Sequence, residues 1–336
     1  MRIDSPAGLW TLALRRLRAD RVAMVSLAVV TLFLAMLALS VMGVIGAGWE
    51  EEVAVTYAPP SFIGPDAVTQ EGAGVARTAP PPNPFDPLAG DIAAIIEAQG
   101  AAITAPPPPR LATLAFGADK WGHDVLLKTI KGGQTSIVVG LAAALLAVFL
   151  GTLFGALSGY FGGVVDDLFN WFYSVFTSIP SILMILAVAA VLQHKGVSSI
   201  VLILGLTGWT GPYRLIRAEY MKHKGREYVM AAAAIGASHW RKMFSHIFPN
   251  ISHVALVQLS ILAVGFIKAE VILSFLGFGV PVGVVSWGSM LNEAQNELIL
   301  GKWWQLTAAA SAMALLVTAF SLFTDALRDA LDPKLI

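Results

Sequence analysis

The sequence is poor in the residues that support disulfide bonds and nucleic-acid binding. It contains no cysteine, which excludes a disulfide framework and thiolate chemistry. Its formal net charge is zero, so nucleic-acid binding has no electrostatic support. Only 13% of the residues are charged, against about 25% in an ordinary soluble domain, and 56% are hydrophobic. This composition predicts a protein that crosses a membrane several times.

Signatures of catalysis and cofactor binding are also missing. There is no Gly-x-x-x-x-Gly-Lys-Ser/Thr loop, so any ATPase would be a separate chain. His239, His246 and His253 recur at seven-residue intervals, but Pro249 is expected to break the helix that would align them. No nucleophile, base and orienting acid stand together. The sequence therefore predicts no catalytic residue, no metal site and no cofactor in this chain.

Six apolar stretches set the organisation of the chain. Residues 1–21 carry five arginines against two aspartates, which predicts a cytoplasmic N-terminus by the positive-inside rule. The connection at 214–250 holds seven Lys and Arg against two Glu, which also predicts the cytoplasmic side. The C-terminal tail, 324–336, should then be cytoplasmic. The predicted spans are residues 22–46, 134–160, 168–192, 196–216, 251–275 and about 304–323.

An acidic insert at residues 47–133 follows the first span and should lie outside the cytoplasm. Prolines cluster at 80–82 and 106–109, which predicts extended connectors around one short helix at 91–99. Asp124 and Lys128 lie one turn apart, which favours a short interfacial helix before the second span. The insert contacts a substrate-binding protein, acts as a lid, or is a passive addition; these alternatives stay open.

Two features inside the spans indicate how the helices pack. Gly151, Gly155 and Gly159 are spaced four residues apart, a pattern that lets another backbone approach closely. Pro180 lies within the third predicted span, where a proline removes a backbone hydrogen bond and kinks the helix. The sequence predicts a tightly packed second helix and a kinked third one.

The fifth span carries two charges, Lys268 and Glu270. Charges within a span are costly and usually face a water-filled cavity or a partner group. They lie two residues apart on a helix, so they do not share one face. We predict that Glu270 lines a translocation path or its outer gate; the alternative is a structural salt bridge to another helix.

Residues 225–250 are polar and basic between apolar segments. Tyr228, Ala231, Ala232 and Ile235 recur at helical spacing, and Gly236 is expected to end that helix. A second helix should have an apolar stripe and stop at Pro249 and Asn250. That stripe comprises Trp240, Met243, Phe244 and Ile247. The pattern predicts two short amphipathic helices at a membrane surface.

This stretch resembles the cytoplasmic coupling loop of ABC importer permease subunits. The family pattern is Glu-Ala-Ala, three residues, Gly and later a Leu-Pro pair. The peptide/nickel branch also has Glu-Tyr-Val before it and His-Ile-Leu-Pro-Asn at its end. The positions that match are Glu227, Tyr228, Val229, Ala231, Ala232, Gly236, His246, Ile247, Pro249 and Asn250. Met230 and Phe248 depart from the pattern.

Other segments resemble the same family in the same order along the chain. They are residues 116–126, the Gly-Tyr-x-Gly-Gly turn at 159–163, the Trp209, Arg214 and Arg217 spacing, residues 270–277 with Glu270 and Ser274, residues 286–291, and residues 325–333. The resemblance covers about two thirds of the chain. Within this family, the sequence is similar to the dipeptide, oligopeptide and nickel permeases.

The resemblance implies an all-α protein of six transmembrane helices with the type I ABC importer permease architecture, in a bacterial inner membrane. It implies a second homologous permease subunit, two ATPase subunits or domains that bind ATP and Mg²⁺, and an extracytoplasmic substrate-binding protein. The loop at 225–250 would transmit ATPase motion to the spans, and Pro180, Glu270 and Ser274 would lie by the path. The rival hypothesis is an ion-coupled carrier or channel that uses Lys268 and Glu270.

Overall fold

The computed structural model describes residues 9–66, 88, 91, 110–192 and 196–331. Helices dominate this part of the chain. In order they are α1 (Leu9–Ala19), α2 (Arg21–Val41), α3 (Val125–Phe161), α4 (Gly163–Thr177), α5 (Ser181–Leu192), α6 (Val197–Thr207), α7 (Thr210–Lys224), α8 (Glu227–Ala234), a π-helix (Arg241–Ile247), α9 (Phe248–Phe275), α10 (Trp287–Ile299) and α11 (Trp304–Leu331). The predicted helix at 91–99, beyond its first position, and both proline clusters lie outside the described residues.

Several of these helices are long and apolar enough to cross a membrane. Within the described ranges, α2, α3, the segment Arg241–Phe275 and α11 meet this condition singly. Helices α4 and α5 meet it only as a pair, and α6 is apolar but shorter. The chain is therefore an α-helical multi-pass membrane protein. The count of six spans stays a prediction.

The third predicted span is broken rather than kinked. Helix α4 ends at Thr177, α5 begins at Ser181, and their axes differ by 89°. Pro180 lies in the gap, where its carbonyl accepts the Met184 N–H at 3.0 Å and so starts α5. Because proline disfavours a helical conformation in the residue before it, the helix ends ahead of Pro180 instead of bending through it. The prediction of one kinked helix over 168–192 was wrong.

Pro249 does not stop a helix, contrary to the prediction. The π-helix runs into α9 without a break, and Pro249 is in the first turn of α9. A proline is tolerated there, because the N–H it lacks would belong to the first turn of the α-helical segment. The basic π-helix and the fifth span are one continuous helical segment of 35 residues.

Helix α3 begins earlier than predicted and replaces the short interfacial helix. It runs for 37 residues, and the Asp124 carboxylate caps it by accepting the Leu126 N–H at 2.7 Å. Asp124 is therefore occupied by the helix end and is not the partner of Lys128. Lys128 binds other carboxylates, as described below.

The remaining differences concern where helices end. The first span, α2, stops at Val41, and the predicted fourth span divides between α6 and α7 around Gly208 and Trp209. Helix α11 continues into the predicted C-terminal tail. Its last residues, Ala330 and Leu331, are buried against Leu17 and Val257, and this packing keeps the tail helical.

Helix α3 lies at the centre of the bundle. Its small residues Ala143, Ala144 and Ala147 pack against α6 and α9 in one buried cluster. The three glycines of the repeated pattern face α7. A Cβ on Gly151 would lie 2.6 Å from the Trp209 carbonyl oxygen, and one on Gly159 would lie 2.5 Å from that of Arg217. These distances are too short for any side chain, so the two backbones touch because the residues are glycine.

The two ends of the insert pack against each other beside the start of α3. Ala54 bridges Leu111 and Pro60 bridges Leu114 as isolated parallel β-bridges. Ala54, Val55, Ala58 and Ala118 form a small buried cluster there. Trp304 is buried and donates its indole N–H to the Ala118 carbonyl at 2.6 Å. The base of the insert is thus tied to α11.

Candidate functional site

The loop at 225–250 contains two helical segments joined at Gly236. Helix α8 ends at Ala234, and Gly236 has a φ of +82°, a left-handed conformation that favours glycine. Its N–H donates to the Ala233 carbonyl, and the Ala237 N–H donates to that of Ala232, both at 3.0 Å. These bonds cap the C-terminal end of α8 and turn the chain towards the π-helix.

One face of the loop is buried against the bundle. Val229 of α8 and Met243 and Ile247 of the π-helix are buried in a cluster with residues of α3 and α7, and Ala232 of α8 is also buried. The Tyr220 hydroxyl donates to the Met243 carbonyl at 3.2 Å, and the Tyr160 hydroxyl lies 2.9 Å from His239 Nδ1. The loop is therefore attached to α3 and α7 by packing and by hydrogen bonds.

The other face exposes a set of large apolar side chains, which we call the loop patch. It consists of Met230, Ile235, Trp240 and Phe244. Ile235 is 85% exposed and Trp240 is 59% exposed, and Trp240 stacks on Phe244 with ring centroids 5.6 Å apart. The members of the predicted apolar faces do not share one environment. Ile235, Trp240 and Phe244 are exposed, whereas Ala232, Met243 and Ile247 are buried. Both segments of the loop therefore contribute exposed apolar side chains.

The predicted coupling residues are all within this loop but do not share one environment. Ala232 is buried, His246 is half-buried, and Glu227, Ala231, Gly236 and Pro249 are exposed. The Tyr228 hydroxyl lies 2.8 Å from His223 Nδ1, which joins α8 to α7. The Asn250 side-chain amide donates to the His246 carbonyl at 2.7 Å. Tyr228 and Asn250 thus hold the loop in shape.

A bidentate ion pair lies where α3, α4 and α7 meet. Arg217 donates to both carboxylate oxygens of Asp166, each at 2.6 Å. Ser158 also donates to Asp166, and it lies 3.1 Å from the Tyr213 hydroxyl. Sequence analysis singled out Arg217 and the turn at 159–163 separately. It did not pair Arg217 with Asp166, because 51 residues separate them.

Glu270 and Ser274 lie inside the protein rather than on an open path. Glu270 is fully buried, and its carboxylate accepts hydrogen bonds from Ser136 at 2.5 Å and Ser274 at 2.6 Å. Ser136 also accepts the Trp287 N–H, and Ser274 that of Val280. Glu270 therefore joins α3, α9 and the start of α10 through hydroxyl groups. It forms no salt bridge with the described residues, and its role at a path or gate stays a prediction.

Pro180 and Lys268 do face open space. Pro180 lines a cavity of about 470 Å³ between the α4–α5 break, α6–α7 and α9, where the hydroxyls of Thr177, Ser181, Thr207 and Thr210 accompany apolar groups. Lys268 is exposed on α9. The structure does not bring Pro180 and Glu270 together at one cavity.

A buried charged cluster, which sequence analysis missed, lies beside the base of the insert. The Lys128 ammonium donates to Asp119 at 2.7 Å, to Glu293 at 2.6 Å and to Gln305 at 3.4 Å. Burial opposes ionisation of Asp119, but the charge and hydrogen bond of Lys128, with His123, outweigh it and lower the pKa of Asp119. The cluster joins the insert base, α3, α10 and α11.

The described residues bring no three His, Asp or Glu side chains close enough to hold a metal ion. The described residues provide a loop attached to the bundle with exposed apolar side chains, close helix contacts and buried polar networks. These features can bind a partner protein and transmit movement between helices.

Comparison with known proteins gives a family for this arrangement. Residues 151–336 match the profile described as binding-protein-dependent transport system inner membrane component. The chain belongs to this family. As a permease subunit of an ABC importer it is not itself an enzyme, and in these systems the ATPase is a separate subunit that uses ATP and Mg²⁺.

The individual relatives each match about two thirds of this permease. It is 35% identical over 220 residues to the dipeptide transport system permease protein DppC of Bacillus subtilis, covering 66% of this chain and 68% of that one. It is 36% identical over 220 residues to the oligopeptide transport system permease protein OppC of the same organism, covering 66% and 72%. OppC of Haemophilus influenzae is 34% identical over 219 residues, covering 65% and 70%.

Proposed function

We propose that this permease moves peptides or related small solutes across a bacterial inner membrane. Its partners would be a second homologous permease subunit, two cytoplasmic ATPase subunits or domains, and an extracytoplasmic substrate-binding protein. Residues 1–21, the loop at 225–250 and the tail at 324–336 would lie in the cytoplasm, and the insert at 47–133 outside. The first span would cover residues 22–46. The other spans would lie within residues 134–323, on either side of the loop at 225–250. The names of the relatives support peptides as the substrate.

The loop patch is the observation that carries this proposal. The surface of a soluble protein rarely exposes two stacked aromatic rings and an almost fully exposed isoleucine within one short loop unless something covers them. Lys224, Arg226, Arg241 and Lys242 lie in or beside the same loop, which favours a cytoplasmic location. A cytoplasmic ATPase that covers the patch would move α3 and α7 with it, because the inner face of the loop is packed against both.

An ABC importer and an ion-coupled carrier differ in the energy source that drives uptake. The complete transporter, with its partner permease, ATPases and binding protein, would be reconstituted in liposomes and tested for uptake of labelled peptides. ATP-dependent uptake that requires the binding protein supports the proposal. Uptake driven by an ion gradient without ATP, or a permease that purifies without any ATPase, would overturn it.

Removing one ring of the loop patch should weaken ATPase binding. Trp240→Ser is expected to weaken that binding about 30-fold, because a tryptophan at an interface centre contributes about 2 kcal/mol. It should change the free energy of unfolding of the permease by less than about 0.5 kcal/mol, because the side chain packs mainly on the surface. Binding is measured by titrating ATPase onto the permease pair in nanodiscs. Trp121→Ser, an exposed tryptophan of the 110–124 segment, serves as the control and should bind normally.

A charge at the turn between the two loop segments should uncouple the subunit without unfolding it. Gly236→Asp places a carboxylate where no atom lies within 4 Å of the new Cβ, at a backbone conformation that aspartate tolerates better than most residues. We expect normal membrane insertion and loss of ATP-dependent uptake.

Gly225→Asp is the matched control, because it adds the same charge to the same loop at open space and a negative φ. Equal uptake by Gly236→Asp and Gly225→Asp would contradict a specific role for the Gly236 turn.

A further inference from the structure

Glu297, in the last turns of α10, is a buried carboxyl group that the proposed transport mechanism does not use. The residue is 1% exposed, and α10 lies outside the candidate spans. Neither of its carboxylate oxygens has a hydrogen-bond partner in the described part of the chain. The Lys120 N–H approaches the carboxylate and favours its charged form slightly, without completing a hydrogen bond. An ionised carboxylate enclosed in this way would be strongly disfavoured.

The charged cluster surrounds this group and cannot neutralise it. Lys128 supplies the one buried ammonium of the cluster, and it already binds Asp119 and Glu293. If Glu297 were ionised, three carboxylates would share that single positive charge. The titratable and charged neighbours from the packed elements are Tyr57 and Asp119 of the insert base, with His123 beside Asp119, Lys120 of the same segment, Lys128 of α3, Glu293 of α10, and Lys302 before α11.

A proton is the counter-ion that fits this enclosure. Burial raises the pKa of Glu297 to about 7; the charge of Lys128 opposes this rise, and those of Asp119 and Glu293 add to it. The surrounding groups do not form a metal site. The Lys128 ammonium already occupies the position between Asp119 and Glu293 that a cation would take.

We propose that Glu297 is a proton-binding site of this permease, and that its occupancy sets how tightly α10 packs against α3 and α11. Protonated Glu297 leaves the cluster with one excess negative charge, and release of the proton makes it two. The second charge can be relieved by letting water reach the end of α10. The location of this site on the extracytoplasmic side rests on the proposed function.

The direction of the pH effect follows from the two states of the chain. In the unfolded chain Glu297 has its ordinary pKa of 4.5, and in the folded protein it keeps its proton up to about pH 7. The stabilising contribution is therefore complete below pH 4.5 and is lost as the pH rises to about 7. Above that pH the group is ionised in both states and the loss is constant. Packing of α10 should loosen across this window.

Hydrogen exchange of the assembled transporter in nanodiscs tests the proposal. Exchange of the peptide covering residues 287–299, corrected for intrinsic rates, is measured from pH 5.5 to 8.5 in the wild type, in Glu297→Gln and in Glu50→Gln. The pH range extends to both sides of the pKa of about 7. The wild type should lose at least about tenfold in protection between pH 5.5 and about 7 and change little above it. Glu297→Gln should lose this dependence, and Glu50→Gln, an exposed acid of the insert, should retain it.

Infrared spectroscopy keeps the proposal testable if Glu297→Gln does not assemble. The wild-type transporter should show a protonated carboxyl C=O band at pH 6 that disappears by pH 8.5. Absence of that band, or an unchanged pH dependence in Glu297→Gln, would overturn the proton site. In sealed vesicles, a response to the pH of the cytoplasmic side alone would overturn the proposed orientation while leaving the proton site intact.

Discussion

Gly155→Val is expected to prevent α3 from packing on α7. A Cβ at this position would lie 2.8 Å from the Tyr213 carbonyl oxygen and 3.0 Å from the Arg217 amide nitrogen. Both atoms belong to the α7 backbone, which cannot move aside as a flexible side chain would. The two additional methyl groups of valine make the overlap larger. We expect a loss of about 3 kcal/mol or more in the free energy of unfolding.

Helix separation would also break the contacts that lie next to Gly155. Arg217 binds Asp166, and Tyr213 lies beside Ser158, so a displaced α7 loses both interactions. The measurement is unfolding in detergent or nanodiscs, together with the amount of subunit that purifies with its partners. Gly265→Val is the control for stability, because a Cβ there meets no atom within 4 Å. Equal unfolding of the two variants would show that the α3–α7 contact is not tight.

Lys128→Met should be almost as damaging, for an electrostatic reason. Methionine fills a similar volume but leaves Asp119, which is completely buried, without its ammonium partner. Removing one member of a buried ion pair costs about 3–5 kcal/mol, because the remaining charge stays enclosed. Lys222→Met removes an exposed lysine that lies 3.2 Å from Glu219, and it should cost less than about 1 kcal/mol.

The effect of pH separates this explanation from simple loss of packing. In the wild type the lowered pKa of Asp119 contributes stability above the ordinary value of 3.8, and this contribution is lost as the pH falls through the lowered value. In Lys128→Met the pKa of Asp119 should rise instead, so that mild acid stabilises the variant relative to neutral pH. Asp119→Asn added to Lys128→Met should recover part of the lost stability. An additive double-variant cycle would contradict the pairing.

Sequence reasoning predicted the family and most helices because these depend on local patterns. Apolar length indicated a multi-pass membrane protein, and α2, α3, the segment Arg241–Phe275 and α11 are each long enough to span. The ordered motifs from residue 116 onward indicated the permease family, which the comparisons confirm. The turn at Gly236 also follows from a local rule, since a glycine after a short helix favours a left-handed end. Such features need only neighbouring residues to be recognised.

The features that escaped prediction depend on distant contacts or on which side of a helix is covered. Lys128 and Glu293 are 165 residues apart, so no local pattern in the sequence pairs them. The apolar side chains of the loop patch have the spacing of a buried face, yet Ile235 is exposed. Hydrophobicity alone does not separate a face that packs on the bundle from one that a partner covers.

The length of α3 ties the two sides of the membrane together. Its 37 residues extend for about 55 Å without a proline or a break. Near one end Lys128 holds the charged cluster, and near the other Tyr160 contacts the loop. Because α3 has no break, a movement that the proposed ATPase imposes near Tyr160 would be transmitted along the helix to Lys128. The charged cluster at the base of the insert would then move with the loop.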